Sequence, residues 1–263
     1  MRLLRRLVRW VLFGTMVLVT AVVVSVPIDR MLRHGAVEAL TNAVIDGPAG
    51  PLHVHVARPP EGDGPYPLVV MLHEFWGLDR ATLDKADLLA ADGYVVAAPD
   101  VMRGRTTRWL PSAIWQTWRT PDERVRADVD AVVAALALDP DVDVGRLAVT
   151  GFCFGGRMAL RYALERPRVS VTGVFYGAVT DSAAALSRLD GAVVGVFGAE
   201  DASIPLTEVF AFTRALEAAR VPHDVRVFPE VGHAFVTDAA GIAADPVQGE
   251  AWQVLRDALR RWL

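Results

Sequence analysis

The sequence predicts a doubly wound α/β fold, built on a mostly parallel sheet and preceded by one N-terminal transmembrane helix. Short Val-rich runs alternate with amphipathic stretches from about residue 41 onward, as they do when helices join buried parallel strands. A chain of 263 residues, 52% of them hydrophobic, supplies one large core but too little for two enzymes. We therefore divide it into an anchor or signal segment at 1–30, a linker at 31–40 and one domain at 41–263.

The N-terminal segment has the composition of a targeting or anchoring helix. Four arginines precede its uncharged apolar stretch at residues 10–28: Arg2, Arg5, Arg6 and Arg9. A helix over that stretch is roughly 28 Å long, close to the hydrocarbon thickness of a bilayer. We expect an uncleaved single-pass membrane anchor, with the N-terminus cytoplasmic and the domain on the extracytoplasmic side. The alternatives are a signal segment cleaved near Ser25, followed by secretion, and a buried core helix, which fits the arginines poorly.

The domain alternates between two kinds of element. Seven apolar runs predict strands at residues 52–57, 68–72, 94–98, 147–150, 171–176, 192–197 and 225–228. Five amphipathic stretches predict helices at residues 79–91, 122–138, 155–165, 205–219 and 247–262. Because ligands bind beyond the carboxyl ends of parallel strands, functional side chains are expected at the strand-to-helix junctions.

A cysteine flanked by glycines follows the strand at 147–150. Gly151 and Gly155 stand two positions before and after Cys153, as a sharp turn requires when it exposes a nucleophile. The N-terminus of the next helix favours a thiolate, and the amide of Phe154 points to where an oxyanion forms. We predict that Cys153 is a nucleophile. A buried inert cysteine is the alternative, and it leaves both glycines unexplained.

A histidine and an acid follow in the order expected of a catalytic triad. His233, in Val-Gly-His-Ala-Phe, comes after the strand at 225–228 and is the predicted general base. Asp201 follows the strand at 192–197 and is predicted to orient the base and stabilise its imidazolium. Glu200 is the competing acid, and capping of the next helix is the alternative role for Asp201.

The fourth junction, His-Glu-Phe-Trp-Gly at residues 73–77, follows the strand at 68–72. This is the place from which a second oxyanion amide is normally drawn. Its first two residues suggest a zinc-binding helix, but the position four residues after His73 is Gly77 and not a second histidine. We therefore expect no metal here.

Five pieces of the sequence together resemble the dienelactone hydrolase family. In chain order they are His-Glu-Phe-Trp-Gly, Ala-Pro-Asp, Gly-Phe-Cys-Phe-Gly-Gly, Asp201 before Ile-Pro, and Gly-His-Ala-Phe. The resemblance spans roughly residues 40–263. It implies an α/β-hydrolase fold and a hydrolase of carboxylic esters or lactones.

The resemblance also assigns roles to individual residues. It implies a triad of Cys153, His233 and Asp201 that works through a thioester intermediate. It implies that Glu74 contacts the resting thiol and helps to release the thiolate. The amides of Phe75 and Phe154 would form the oxyanion hole.

Three residues are candidates for binding the substrate: Arg103, Arg105 and Trp76. Family members that act on dienelactone hold its carboxylate with one arginine soon after Ala-Pro-Asp and another shortly after the catalytic histidine. Here Arg103, Arg105 and Arg108 follow Ala-Pro-Asp, but none follows His233 in Ala-Phe-Val-Thr. Dienelactone itself is therefore not the expected substrate, and a solvated loop is an equal alternative for the three arginines.

A tryptophan-rich stretch lies at residues 103–121 and is expected to be a loop with a short helix. Trp109, Trp115 and Trp118 are predicted to form a lid that walls an apolar substrate or sits at the lipid headgroup level. Plain core packing is the alternative.

Composition excludes several other functions. A formal net charge of −4 gives no basic field for nucleic acid. One cysteine forms neither an internal disulfide nor a Cys-rich metal cage. We expect a small ester or lactone as the partner, with no cofactor, no metal and no nucleic acid. Two alternatives stay open: a membrane-anchored binding protein on a hydrolase scaffold, and a thiol acyltransferase or redox sensor that uses the same cysteine.

Overall fold

One eight-stranded, mostly parallel sheet forms the centre of the domain. The computed structural model describes residues 2–33, 35–166 and 168–263. The strands are β1 (Ala43–Gly47), β2 (Gly50–Ala57), β3 (Tyr66–Leu72), β4 (Val95–Pro99), β5 (Val142–Phe152), β6 (Val169–Phe175), β7 (Ala192–Gly198) and β8 (His223–Phe228). Their order is β1-β2-β4-β3-β5-β6-β7-β8. Strands β3 to β8 are parallel, and β1 and β2 are antiparallel to their neighbours.

Helices cover both faces of this sheet. The α-helices of the described residues are α1 (Arg2–Leu32), α2 (Arg80–Ala91), α3 (Leu110–Trp118), α4 (Asp122–Leu136), α5 (Phe154–Glu165), α6 (Ala183–Leu186), α7 (Leu206–Ala219), α8 (Ala239–Ala244) and α9 (Pro246–Trp262). The apolar sides of α4, α5 and α7 pack on one face, and those of α2 and α9 pack on the other. This is the doubly wound arrangement of the α/β-hydrolase fold, as the sequence predicted.

The structure differs from the sequence prediction at the edges of elements. Strand β1 was not predicted, because its side chains are only half-buried at the sheet edge and Val44 is 60% exposed. Strand β5 begins at Val142, five residues before the predicted start, because Val142 and Asp143 pair with the beginning of β3. The short helices α6 and α8 complete too few turns to show a helical period in the sequence.

Helix α1 is long, apolar and exposed. Its stretch Leu12–Asp29 is long and apolar enough to cross a membrane, and none of that stretch is buried inside the protein. The expectation of an N-terminal apolar helix is confirmed, and the core-helix alternative is wrong. Four arginines were predicted to flank this stretch, and the side chains of three of them lie outside the described residues: Arg2, Arg5 and Arg6.

The order of the strands reverses between β3 and β5. From β3 the chain winds outward through β4, whereas β5 to β8 extend in the opposite direction. Leu72 at the end of β3 pairs with Gly151 near the end of β5. The loop after β3 and the turn after β5 are therefore brought together where open α/β sheets bind ligands.

Candidate active site

Cys153 occupies a sharp turn between β5 and α5. Its backbone is in a sparsely populated conformation, with φ 53° and ψ −112°, just before the first residue of α5. A Cβ atom added to Gly155 would lie 2.1 Å from the carbonyl oxygen of Leu72. A Cβ atom on Gly151 would lie 2.4 Å from the backbone of Gly155. Both glycines are thus required by close backbone contact, and the turn holds the thiol above the sheet.

The thiol of Cys153 is in an environment that favours its neutral form. Burial and the nearby charge of Glu74 raise the pKa of Cys153 to about 11. Hydrogen bonds from the backbone amides of Phe154 and Phe75 act in the opposite direction and lower this pKa. The Phe75 amide of the loop after β3 and the Phe154 amide at the start of α5 therefore both act on the sulfur, and their role as an oxyanion hole stays a prediction.

Glu74 is largely buried, and it is near enough to Cys153 for its charge to act on the thiol. Burial raises the pKa of this carboxyl above its usual range, and the charges of Lys85 and His233 offset part of the effect. The Tyr176 hydroxyl lies 3.4 Å from Glu74 Oε1 and donates to the carbonyl oxygen of Val236 at 3.1 Å. Glu74 therefore acts electrostatically on the thiol, and the direct contact that the family resemblance implies stays a prediction.

His233 and Asp201 form a hydrogen-bonded pair. His233 Nδ1 is 2.7 Å from Asp201 Oδ2, and the Asp201 side chain is fully buried. The other carboxylate oxygen of Asp201 accepts the backbone amides of Ser203 at 2.7 Å and Ile204 at 3.2 Å. Asp201 therefore orients the histidine and shapes the following turn at once, whereas the competing Glu200 is exposed. In the part of the chain that the structure describes, His233 makes no hydrogen bond to Cys153.

The three candidate substrate-binding residues have different surroundings. Trp76 is half-buried and packs on Phe75, with 4.3 Å between ring centroids. Arg105 is half-buried beside the tryptophan-rich helix, and its Nε donates to the carbonyl oxygen of Met102 at 2.7 Å. Arg103 faces away into an internal network, and this placement favours neither of its predicted roles.

The network around Arg103 is structural. Its guanidinium pairs with Asp128, whose side chain is fully buried. It also donates to the carbonyl oxygens of Gly50 and Pro51, each at 2.6 Å. These contacts join α4 to the β1–β2 hairpin and leave Arg103 as a bridge within the fold.

Replacement of Arg103 is expected to reduce stability. In Arg103→Met the buried Asp128 carboxylate loses its partner, which lowers the free energy of unfolding by about 3 kcal/mol. Thermal unfolding in detergent measures the loss. The double variant Arg103→Met/Asp128→Asn is the matched control and should recover part of it. Unchanged stability together with a higher KM for carboxylate-bearing esters would instead support substrate binding by Arg103.

Replacement of Glu74 is expected to shift the titration of the thiol. Glu74 carries its negative charge at the alkaline pH where Cys153 ionises, so Glu74→Gln should lower the pKa of Cys153 below about 11. Iodoacetamide alkylation of Cys153 should then be faster than in the wild type over the alkaline range in which the wild-type Glu74 is ionised. Glu200→Gln removes an exposed carboxylate and should leave the profile unchanged. Slower alkylation of Glu74→Gln would contradict this electrostatic picture.

Two buried polar residues near the site were not predicted. Tyr176 follows β6 at a carboxyl end of the sheet, and its ring centroid lies 5.2 Å from that of His233. Lys85 is 3% exposed, and its Nζ donates to the carbonyl oxygen of Thr237 at 2.6 Å. The sequence could have indicated both, because Tyr176 ends a predicted strand and Lys85 is a charged residue on the apolar side of a predicted helix.

The tryptophan-rich segment forms helix α3 and the loop before it. Trp109, Trp115 and Trp118 are 45%, 48% and 73% exposed, so the core-packing alternative is wrong. Among the described residues, no group of three or more His, Cys, Asp or Glu is placed to hold a metal ion.

Comparison with known proteins agrees with this arrangement. The sequence profile of the dienelactone hydrolase family matches residues 52–263. Proteins named "putative carboxymethylenebutenolidase" from Methylorubrum extorquens and Escherichia coli K12 are 31% and 33% identical to the chain. The first alignment covers 81% of this chain and 78% of the relative, and the second covers 69% and 72%.

The fold has a close counterpart among solved structures. A crystal structure from Klebsiella pneumoniae, described as a "putative dienelactone hydrolase", superposes with a TM-score of 0.74 at 28% identity. The match covers 84% of this chain and 100% of that one. The chain therefore belongs to the dienelactone hydrolase family and is a dienelactone hydrolase-like hydrolase.

Proposed function

We propose that this protein hydrolyses carboxylic esters or lactones with Cys153 as the nucleophile. The observation that carries the proposal is the nucleophile elbow, in which Cys153 has φ 53° and Gly151 and Gly155 are fixed by close backbone contact. The backbone amides of Phe75 and Phe154 both act on this sulfur and lower its pKa. Amides placed in this way stabilise the negative oxygen of a tetrahedral intermediate. Family membership supports the reaction class, and the buried Asp201–His233 pair supports a base of fixed orientation.

The resting thiol must lose its proton before it attacks. Asp201 holds Nδ1 of His233, so Nε2 is the nitrogen left to accept that proton. The Cys153 sulfur then attacks the carbonyl carbon, the C–O bond breaks, and the leaving oxygen takes a proton from His233. A water activated by His233 cleaves the resulting thioester and regenerates the thiol.

Glu74 gives this cycle a way to limit thiolate formation without substrate. Its charge raises the pKa of Cys153, so an ionised Glu74 beside an empty site disfavours the thiolate. When a substrate carbonyl accepts hydrogen bonds from the Phe75 and Phe154 amides and displaces Glu74, the charge of Glu74 no longer disfavours the thiolate. The thiol is then activated when an ester is present.

The substrate is expected to be a neutral ester or lactone. The names of the relatives point to carboxymethylenebutenolide, a lactone that carries a carboxylate. In this chain no arginine stands shortly after His233, and the donors of Arg103 are used within the fold. A panel of p-nitrophenyl esters and enol lactones, with and without a carboxylate, tests whether the enzyme prefers the neutral substrates.

We place the domain outside the cytoplasmic membrane, attached by α1. The exposed apolar stretch Leu12–Asp29 spans about 27 Å as a helix, and the basic residues precede it. Membrane fractionation, with N-terminal sequencing of the mature chain, separates an anchor from a signal segment cleaved near Ser25. A mature chain that starts after Ser25 would overturn the anchor.

A non-catalytic binding protein and a thiol acyltransferase are the competing functions. Absence of turnover across the ester panel would favour the binding protein. Faster product formation when an alcohol or thiol acceptor is added, with the acyl group found on the acceptor, would favour the transferase.

A further inference from the structure

An apolar cleft lies between helix α3 and the C-terminal part of α1. It encloses about 520 Å³. Val22, Val23 and Val26 of α1 form one wall, and Pro111 and Trp115 form the other. A cleft of this size with apolar walls suits an alkyl chain.

Two hydrogen bonds hold the domain against α1 at the cleft. Trp109 Nε1 donates to Ser25 Oγ at 2.9 Å. Thr107 Oγ1 donates to Asp29 Oδ2 at 2.5 Å. Ser25 and Asp29 lie at the end of the apolar stretch of α1, so the cleft opens where that helix would leave a bilayer.

The outer side of α3 has the composition of a membrane-surface helix. Leu110, Ile114 and Trp118 recur every four residues and are 51%, 58% and 73% exposed. Such a stripe is costly in water, whereas tryptophan is favoured at the level of the lipid headgroups. Because α3 lies beside the end of the apolar stretch of α1, its exposed stripe would contact lipid and not water when α1 spans a bilayer.

The rim of the cleft is polar where its walls are apolar. Arg33, Arg105 and Arg119 line the cleft along with Asp29. Arg33 pairs with Asp29 at 3.2 Å, so part of this charge is neutralised within the rim. Guanidinium N–H groups beside an apolar channel can donate hydrogen bonds to the neutral carbonyl of a ligand that carries an alkyl tail.

The floor of the cleft is connected to the candidate catalytic site. Gln116 lines the cleft, is 4% exposed, and donates from Nε2 to the carbonyl oxygen of Phe75 at 2.6 Å. The amide of Phe75 is one of the two that approach the Cys153 sulfur. The amide of Thr107 also donates to the carbonyl oxygen of Trp76 at 2.8 Å. A chain in the cleft would therefore lie next to the loop that supplies an oxyanion amide.

We infer that the cleft between α1 and α3 binds the alkyl chain of an apolar ester or lactone that reaches the enzyme from the bilayer. The inference rests on the proposed hydrolase function and on α1 as an anchor, and it adds the substrate class. The bound chain holds the carbonyl at Cys153, and the stripe on α3 keeps the mouth of the cleft at the membrane surface.

Photocrosslinking tests where an alkyl chain binds. The full chain is reconstituted in phosphatidylcholine vesicles with a diazirine-bearing alkyl ether, which an esterase does not cleave, and the adducts are mapped by mass spectrometry. Adducts on α3 and on residues 22–29 are expected, with those on α3 reduced in Trp115→Ala. Adducts confined to the earlier part of α1, such as Leu12 and Val19, would overturn the inference.

A chain-length comparison tests what the cleft does for catalysis. The kcat/KM for p-nitrophenyl laurate, relative to that for p-nitrophenyl acetate, should fall about tenfold in Trp115→Ala, because the indole wall is lost. Leu138→Ala removes an 86% exposed leucine after α4, near the amino end of the sheet, and should leave the ratio unchanged. If the ratio is unchanged in Trp115→Ala, the cleft does not bind the alkyl chain and the inference is wrong. Hydrolysis of p-nitrophenyl acetate in the same experiment would still support the proposed hydrolase function. If neither ester is hydrolysed, the proposed function fails and the crosslinks alone decide the cleft.

Discussion

Replacement of Cys153 by alanine is expected to reduce ester hydrolysis by at least about 10⁴-fold in kcat, because loss of a nucleophile removes the covalent route altogether. Alanine accepts the φ of 53° no worse than cysteine does, so the elbow should keep its shape. The measurement is the hydrolysis rate of p-nitrophenyl acetate, with mass spectrometry of wild-type Cys153 for a thioester adduct.

Two controls separate chemistry from folding in this experiment. Cys153→Ala should unfold within a few degrees of the wild type, since only one sulfur atom is removed. Cys153→Ser retains a hydroxyl beside the same amides and should keep more activity than Cys153→Ala. Wild-type turnover in Cys153→Ala would show that a different group attacks the ester, and the proposed mechanism would be abandoned.

The positions of the catalytic candidates were predictable because each lies beyond the carboxyl end of a strand. Gly151 and Gly155 revealed the elbow, since a sharp turn leaves little choice of residue. His233 and Asp201 followed from chain order, and they form a 2.7 Å hydrogen bond across 32 positions of sequence. A local pattern was sufficient here because the topology of the sheet brings all such junctions to one edge.

Other features depend on contacts that no local pattern encodes. Arg103 follows Ala-Pro-Asp as a substrate-binding arginine would, but the internal partner that occupies it, Asp128, is 25 positions away. Lys85 can be buried because its Nζ donates hydrogen bonds to the backbone carbonyls of Val236 and Thr237, more than 150 positions away. The tryptophans at residues 109–118 are apolar yet exposed, and the contacts of Trp109 and Trp115 with α1 could not be read from a local pattern.

Replacement of His233 by glutamine is expected to lower kcat by about 10³-fold, the usual contribution of a general base. The effect should be largest at neutral pH. With the pKa of Cys153 at about 11, only a small fraction of the thiol ionises there without a base to accept the proton. As the pH rises, a larger fraction of Cys153 is already a thiolate and attack no longer needs a base. The activity of His233→Gln should therefore increase steadily toward alkaline pH.

The two halves of the reaction respond differently to that rise in pH. At alkaline pH the thiolate of His233→Gln can attack a p-nitrophenyl ester unaided, but the water that cleaves the thioester still lacks its base. An acyl adduct on Cys153 should therefore accumulate and be visible by mass spectrometry, whereas it is short-lived in the wild type. His223→Gln, at the amino end of β8, is the matched control and should behave as the wild type. Undiminished turnover without an adduct would place the base elsewhere, and Glu74 would then be the first group to examine, because it is the other proton acceptor beside the sulfur.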